Sequence, residues 1–203
     1  VEALLAEEKA AYESVRSTFS RYVSPDVVDS LLGDPSRLKL GGEMREVTVL
    51  FADIRGYSTL AESLQPTEII DMLNRYFERV TDAILQQRGM INEFEGDGVL
   101  AVFGAPNELP DHAGAAVRSA LGMLDAVVRL NAEWKRDGTA ARWQACGIDG
   151  LAIRIGIHSG TVVAGNVGSE ARTKYAVIGD TVNIAARVEG LNKDLGTDLL
   201  LTR

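Results

Sequence analysis

The sequence predicts an α+β domain preceded by a helical segment, and three patterns point to it. Val47-Thr48-Val49-Leu50-Phe51-Ala52 is a short, β-branched, nearly continuous apolar run, as in a buried central strand. Met90–Phe94 and Val99–Phe103 are two strand-like runs joined by Glu95-Gly96-Asp97-Gly98, a hairpin signal. The strand-like stretches that follow are separated by residues of helical period. Strands paired first by a hairpin and then spaced by helices indicate α+β rather than a doubly wound sheet. A chain of 203 residues suits one domain plus an appendage and buries a core without disulfides or structural metal. The single cysteine, Cys146, excludes an internal disulfide and a cysteine-based zinc site, and fits a reducing compartment.

Residues 1–23 lack Gly and Pro and read as one helix. Tyr12, Val15, Phe19 and Tyr22 recur in steps of three and four, with Leu5 one heptad earlier and Glu8 breaking the seam. Two readings stand: a helix packed on its own domain, or a parallel dimer stalk descending from an upstream sensor domain. Ser24-Pro25-Asp26 ends this helix and starts a shorter one through Leu32. Gly41-Gly42 separates the appendage, residues 1–42, from the main domain, residues 43–203. Residues 66–88 place Ile69, Leu73, Phe77, Val80 and Ile84 on one helical face. A long helix is expected over 111–136. Leu151–His158 alternates, Ser159-Gly160 follows, and Thr161–Ala164 resumes. Tyr175–Ile178 is the last clear strand, and Gly179-Asp180 opens a helix over 181–192 with Asp180 as a candidate N-cap.

The balance of 29 acids against 21 bases, net −8, argues against nucleic acid as a general partner. An anionic substrate stays open, because local dipoles and bound cations decide that. No apolar run approaches the ~18 residues of a membrane span. There is neither an initiator Met nor a signal peptide, so the chain reads as a piece of a longer one.

Asp53 leaves the apolar strand into Ile54-Arg55-Gly56-Tyr57. A carboxylate there is placed to hold a divalent cation, with the backbone N–H groups of the glycine turn free to face phosphate. Asp97 sits at the hairpin tip, where turn conformation alone also favours Asp. If the two strands are neighbours, both carboxylates meet at one edge, a donor set that suits Mg²⁺. Asn183 and Arg187 are four residues apart, on one face of the last helix. An amide and a guanidinium there could hold ribose and a phosphate oxygen, or simply be solvated. His112 and His158 lack ligand spacing, and His158 reads as a structural strand-end residue. No Gly-x-x-x-x-Gly-Lys-Ser/Thr phosphate loop occurs.

Four segments together resemble the class III nucleotidyl cyclase catalytic domain: Phe51-Ala52-Asp53-Ile54, Phe94-Glu95-Gly96-Asp97, Arg154-Ile155-Gly156-Ile157-His158-Ser159-Gly160, and Gly179-Asp180-Thr181-Val182-Asn183-Ile184-Ala185-Ala186-Arg187. The resemblance covers about residues 44–203, with the motifs in order. It implies a ferredoxin-like α+β domain working as a head-to-tail homodimer that converts a nucleoside triphosphate to its 3′,5′-cyclic monophosphate and pyrophosphate. Asp53, Asp97 and the Ile54 carbonyl would bind two Mg²⁺ or Mn²⁺ ions. Asn183 and Arg187 would come from the other chain, orienting ribose and stabilising the transferring phosphoryl group. Arg154 and the Gly56 turn are candidate phosphate contacts.

The base pocket departs from the adenylate-forming pattern. Those relatives carry Lys just before the Phe of Phe-x-Gly-Asp, where this chain has Glu93. Their second base-reading residue, Asp or Thr, falls where this chain has Ala176. Guanylate cyclases carry Glu at the first position and often a small residue at the second. The resemblance therefore implies a guanylate cyclase acting on GTP, with ATP as the alternative substrate and an inactive cyclase-like dimerisation module as the alternative of another class. A Lys that contacts the triphosphate in relatives is expected beyond Arg203. The expected location is cytoplasmic, with the parent protein either free or tethered to a membrane.

Overall fold

Side chains along the first strand divide the core in two, because successive residues of a strand point to opposite faces. The computed structural model describes residues 39–144, 147–169 and 171–202, together with 9, 10, 12–14, 16, 17 and 28. Strand β1 (Gly41–Ile54) sends Leu50, Ala52 and Ile54 to one face and Val47, Val49 and Phe51 to the other. Helices α1 (Tyr57–Ser63) and α2 (Pro66–Gln86) follow, then strands β2 (Met90–Glu95) and β3 (Gly98–Phe103). Helices α3 (His112–Asp137) and α4 (Ala140–Gln144) lead to β4 (Ile153–Ser169) and β5 (Arg172–Ile178). Helix α5 (Asp180–Leu195) and β6 (Leu199–Leu201) complete the order. The sheet runs β2-β3-β1-β4-β5, antiparallel throughout this path, with β6 parallel to the start of β4. This is the expected α+β architecture.

Helix α2 starts where the sequence stops it from starting earlier: Pro66 lies in its first turn, and Gln65 and Glu68 form a reciprocal capping box. Its fully buried line is Met72, Tyr76, Val80 and Ile84, in steps of four, while Ile69, Leu73 and Phe77 pack beside it, partly buried. The apolar stripe is thus wider than the one expected from the sequence. Helix α3 ends at Gly138 with Lys135 and Arg136 in its last turn, where cations suit the dipole. Both helices cover the Leu50–Ala52–Ile54 face of β1.

Several expectations need correction. β1 begins at Gly41, ahead of the apolar run, because Gly41 and Gly42 already pair with Asn166 and Gly165. The two stretches around Ser159-Gly160 are one strand, β4. Gly160 pairs with Val47, and a Cβ there would sit 2.8 Å from Thr181 Oγ1. The glycine answers to helix α5 crossing the sheet, not to a turn. The same helix presses on Gly156, where a Cβ would meet the Glu189 nitrogen at 2.1 Å. The N-cap of α5 is Gly179, with Asp180 in the first turn. Tyr175–Ile178 is not the last strand, since β6 follows, and α1 and α4 are additional short helices.

Residues 9, 10, 12–14, 16 and 17 are helical, with Tyr12 exposed, and Val28 is helical and buried. Leu5, Val15, Phe19, Tyr22 and the rest of the second expected helix lie outside the described residues. Among the described residues no helix is long and apolar enough to cross a membrane.

Candidate active site

Strand register builds the site. Ala52 of β1 pairs with Val99 of β3, so the β2–β3 turn lands at the end of β1. Glu95 and Gly98 close a two-residue loop in which Gly96 takes φ 63°, the positive φ such a turn requires. Asp97 is thereby carried beside Asp53. The Ile54 N–H donates to Asp97 Oδ2 at 3.1 Å, and the two carboxyls share a hydrogen bond. The expected neighbourhood of Asp53 and Asp97 is therefore what the fold produces.

Burial, first, and then the hydrogen bond and charge of Asp53 push the Asp97 pKa up to about 7. Two carboxyls this close hold a proton between them. Among the described residues no group of three or more His, Cys, Asp or Glu could hold a metal. A pair of carboxylates with an adjacent backbone carbonyl is nonetheless a fitting donor set for a hard cation, which takes its remaining oxygens from water and phosphate.

This pair gives a prediction for the metal-free protein. Asp97 keeps its proton up to about pH 7 when folded but releases it at 3.8 when unfolded. The stability this lends is full below pH 3.8 and is lost as pH rises through about 7. In chelator, Tm should therefore fall across that window, and Asp97→Asn should flatten the fall while Glu189 keeps its own share. Equal slopes in thermal melts of the two proteins would contradict the assignment.

Arg154 is the neighbour of Asp53 across the β1–β4 ladder. Its guanidinium lies 3.4 Å from Asp53 Oδ2 and, through Nε, 3.2 Å from Glu189 Oε1. The second contact is an ion pair by distance without hydrogen-bond alignment, as both atoms lack a hydrogen-bond partner. Burial raises the Glu189 pKa, opposed by Arg154 and reinforced by Asp53. Glu189, which the sequence did not single out, thus joins Asp53 and Arg154 in one cluster. The Gly56 turn follows Asp53 directly, and Gly56 is the N-cap of α1 with no side-chain cap on that helix.

Asn183 and Arg187 stand exposed on α5. Among the described residues no hydrogen bond or ion pair joins them to Asp53 or Asp97 within the chain. Glu93 occupies the edge strand β2, just after a β-bulge between Ile91 and Glu93 that re-aims it. Its Oε2 accepts from Lys174 Nζ at 2.6 Å, although β2 and β5 are opposite ends of the sheet path. Ala176, two residues beyond Lys174 on β5, is half-buried. The structure so brings Glu93 to the strand of Ala176, and Lys174 is a second residue the sequence did not single out.

Comparison with characterised proteins follows the same lines. The model of the adenylate and guanylate cyclase catalytic domain matches residues 42–196. The chain is 35% identical over 183 residues to adenylate cyclase 1 of Rhizobium meliloti (strain 1021), covering 90% of this chain and 26% of that protein. It is 37% identical over 158 residues to the adenylate cyclase of Anabaena cylindrica, covering 78% of this chain and 30% of that one. The chain thus spans between a quarter and a third of the length of these relatives. The crystal structure of the guanylyl cyclase Cya2 aligns at 40% identity and TM-score 0.66, over 74% of this chain and 72% of that chain. A bacterial light-regulated adenylyl cyclase aligns at 27% identity and TM-score 0.79, over 100% of this chain and 56% of that chain.

Proposed function

The chain belongs to the adenylate and guanylate cyclase catalytic domain family, and from that membership we propose that it cyclises GTP to 3′,5′-cyclic GMP and pyrophosphate in a homodimer with shared sites. The observation that supports the shared site is the separation within one chain. Asp53 and Asp97 gather at the end of β1, while Asn183 and Arg187 are exposed on α5 without a bond to them. A twofold partner would supply the second half to each site, as closed symmetric dimers do.

In the reaction the ribose 3′-oxygen bonds to the α-phosphorus, the bond from that phosphorus to the β-phosphate oxygen breaks, and the 3′-hydroxyl proton passes to solvent. Asp53, Asp97 and the Ile54 carbonyl would hold two Mg²⁺ or Mn²⁺ ions. Bound there, the ions supply charge neutralisation along the triphosphate and lower the pKa of the attacking hydroxyl. Arg187 donates to the phosphoryl oxygens as charge develops, and Asn183 fixes the ribose. Arg154, already seated beside Asp53, and the backbone N–H groups after Gly56 face the phosphates. Residues 1–42 act as the segment linking an upstream sensor domain to the catalytic domain, residues 43–203. A site that consumes GTP belongs on the cytoplasmic side.

Glu93 supports guanine as the base. Its carboxylate can accept from both N1–H and the N2 amine, and the Lys174 ammonium beside it can donate to O6. Adenine offers this pair two contacts, N1 to Lys174 and the N6 amine to Glu93. Ala176 adds no polar group for either. That second arrangement, together with the adenylate cyclases among the relatives, keeps ATP as the other reading. Chromatography of products from GTP and ATP, each with Mg²⁺ or Mn²⁺, tests the choice. A higher kcat/KM for GTP is expected, a preference for ATP overturns it, and no product from either favours an inactive dimerisation module.

A further inference from the structure

Glu189 stands where α5 comes closest to the sheet. Arg154 and Gly156 are two residues apart on β4 and share a face of it. Gly156 offers no side chain, so the α5 backbone lies directly over it, with the Glu189 nitrogen 2.1 Å from where a Cβ would be. From that position the Glu189 carboxylate reaches the Arg154 Nε at 3.2 Å. The fully buried Asn192 fixes the helix there, its amide donating to the Ile155 carbonyl at 3.0 Å and to the Glu189 carbonyl at 2.9 Å. The Glu189 backbone is thus held to β4 on both sides.

Both partners are only 15% exposed. A buried ion pair adds little stability, and apolar residues of the same volume often serve better, so packing alone does not account for it. The guanidinium supplies a use. Its Nε faces Glu189, while its Nη2 faces Asp53 Oδ2 at 3.4 Å, outside the ~2.7–3.2 Å of a well-made bond. Glu189 therefore grips the neck of the side chain, and the fork points to the edge where Asp53 and Asp97 meet. Among the described residues neither Arg154 Nε nor Glu189 Oε1 has a hydrogen-bond partner. Arg154 is divided between two carboxylates and fully bonded to neither. Once Asp53 turns to a cation, the fork is released for phosphate oxygens, and Glu189 alone holds the neck.

We propose that Glu189 is a positioning residue that holds Arg154 by its Nε and so aims the guanidinium fork at the triphosphate. The inference rests on the reading of Arg154 as a phosphate contact. It differs from a role in docking α5 on the sheet. A docking carboxylate affects every ligand of the site alike, whereas one that aims a guanidinium affects the part of binding that depends on the phosphate chain.

The test is calorimetric binding of 3′-deoxy-GTP and 3′-deoxy-ATP to the dimer in Mg²⁺, each against its monophosphate. Glu189→Met fills the volume but offers no acceptor. It should bind the triphosphate about tenfold more weakly, the worth of one charge-assisted hydrogen bond, with monophosphate affinity nearly unchanged. Glu189→Gln keeps an oxygen for Nε–H and should recover most of that loss. Glu189→Ala repeats the contrast should the Met variant misfold, with circular dichroism as the control. Wild-type triphosphate affinity in a folded Met or Ala variant overturns the proposal, as do equal losses for triphosphate and monophosphate. Arg154→Ala separates the two levels: wild-type triphosphate affinity there would instead remove the phosphate-contact reading on which the proposal stands.

Discussion

Asp53→Ala and Asp97→Ala are each expected to lose turnover by on the order of 10³-fold, since each removes a proposed ligand of the ions that would stabilise transition-state charge. The fold should survive either change. Both side chains sit at the ends of elements, and Asp53 is 37% exposed. Removing one carboxyl also removes its partner's unfavourable neighbour. Asp53→Ala further frees Arg154, which keeps Glu189 at 3.2 Å. Initial rates across a Mn²⁺ titration, with circular dichroism as the control for folding, decide the matter. Near-normal turnover at saturating metal by either variant would remove that residue from the ligand set.

Glu93→Lys should lower kcat/KM for GTP by about 10²-fold, less than the ~10⁴-fold that sites built on buried hydrogen bonds can reach. The reduction has a structural reason. Glu93 is 43% exposed and Lys174 51% exposed, so neither group is stranded in a dry pocket by the wrong base. The new ammonium would face the N1–H and N2 donors of guanine and repel Lys174 as well. A gain with ATP need not follow, because Ala176 offers nothing to the adenine amine. Steady-state kinetics with both nucleotides give the comparison. An unchanged GTP rate in Glu93→Lys would end the assignment of Glu93 as base reader.

Much of the fold and of the candidate site is legible in the sequence. Asp53 could be found because an apolar strand ends on it, and Asp97 because the hairpin signal around it is strong. Their meeting needed the antiparallel β1–β3 register, which the sequence does not spell out. Glu189 escaped notice because nothing local marks it. Its significance is its 3.2 Å approach to Arg154, a residue of another element. Lys174 escaped for the same reason, since its partner Glu93 lies at the far end of the sheet path. The break expected at Ser159-Gly160 failed because a glycine reads as a turn, whereas Gly160 makes room for Thr181 of α5. Three-residue β6 carries too little periodicity to be read, and its pairing with Ile155–Ile157 is what makes it a strand.

The shared site is tested most directly by mixing two inactive chains. Asp53→Ala lacks a proposed metal ligand, and Arg187→Ala lacks the guanidinium proposed to stabilise the phosphoryl group. Each homodimer then has two defective sites. A mixed dimer has one site carrying both defects and one carrying neither. Co-refolded mixtures in which mixed dimers are verified, for instance by differently tagged chains, should recover cyclic GMP formation to a substantial fraction of the wild-type rate per dimer. Mixed dimers as inactive as their parents would contradict a site built from two chains.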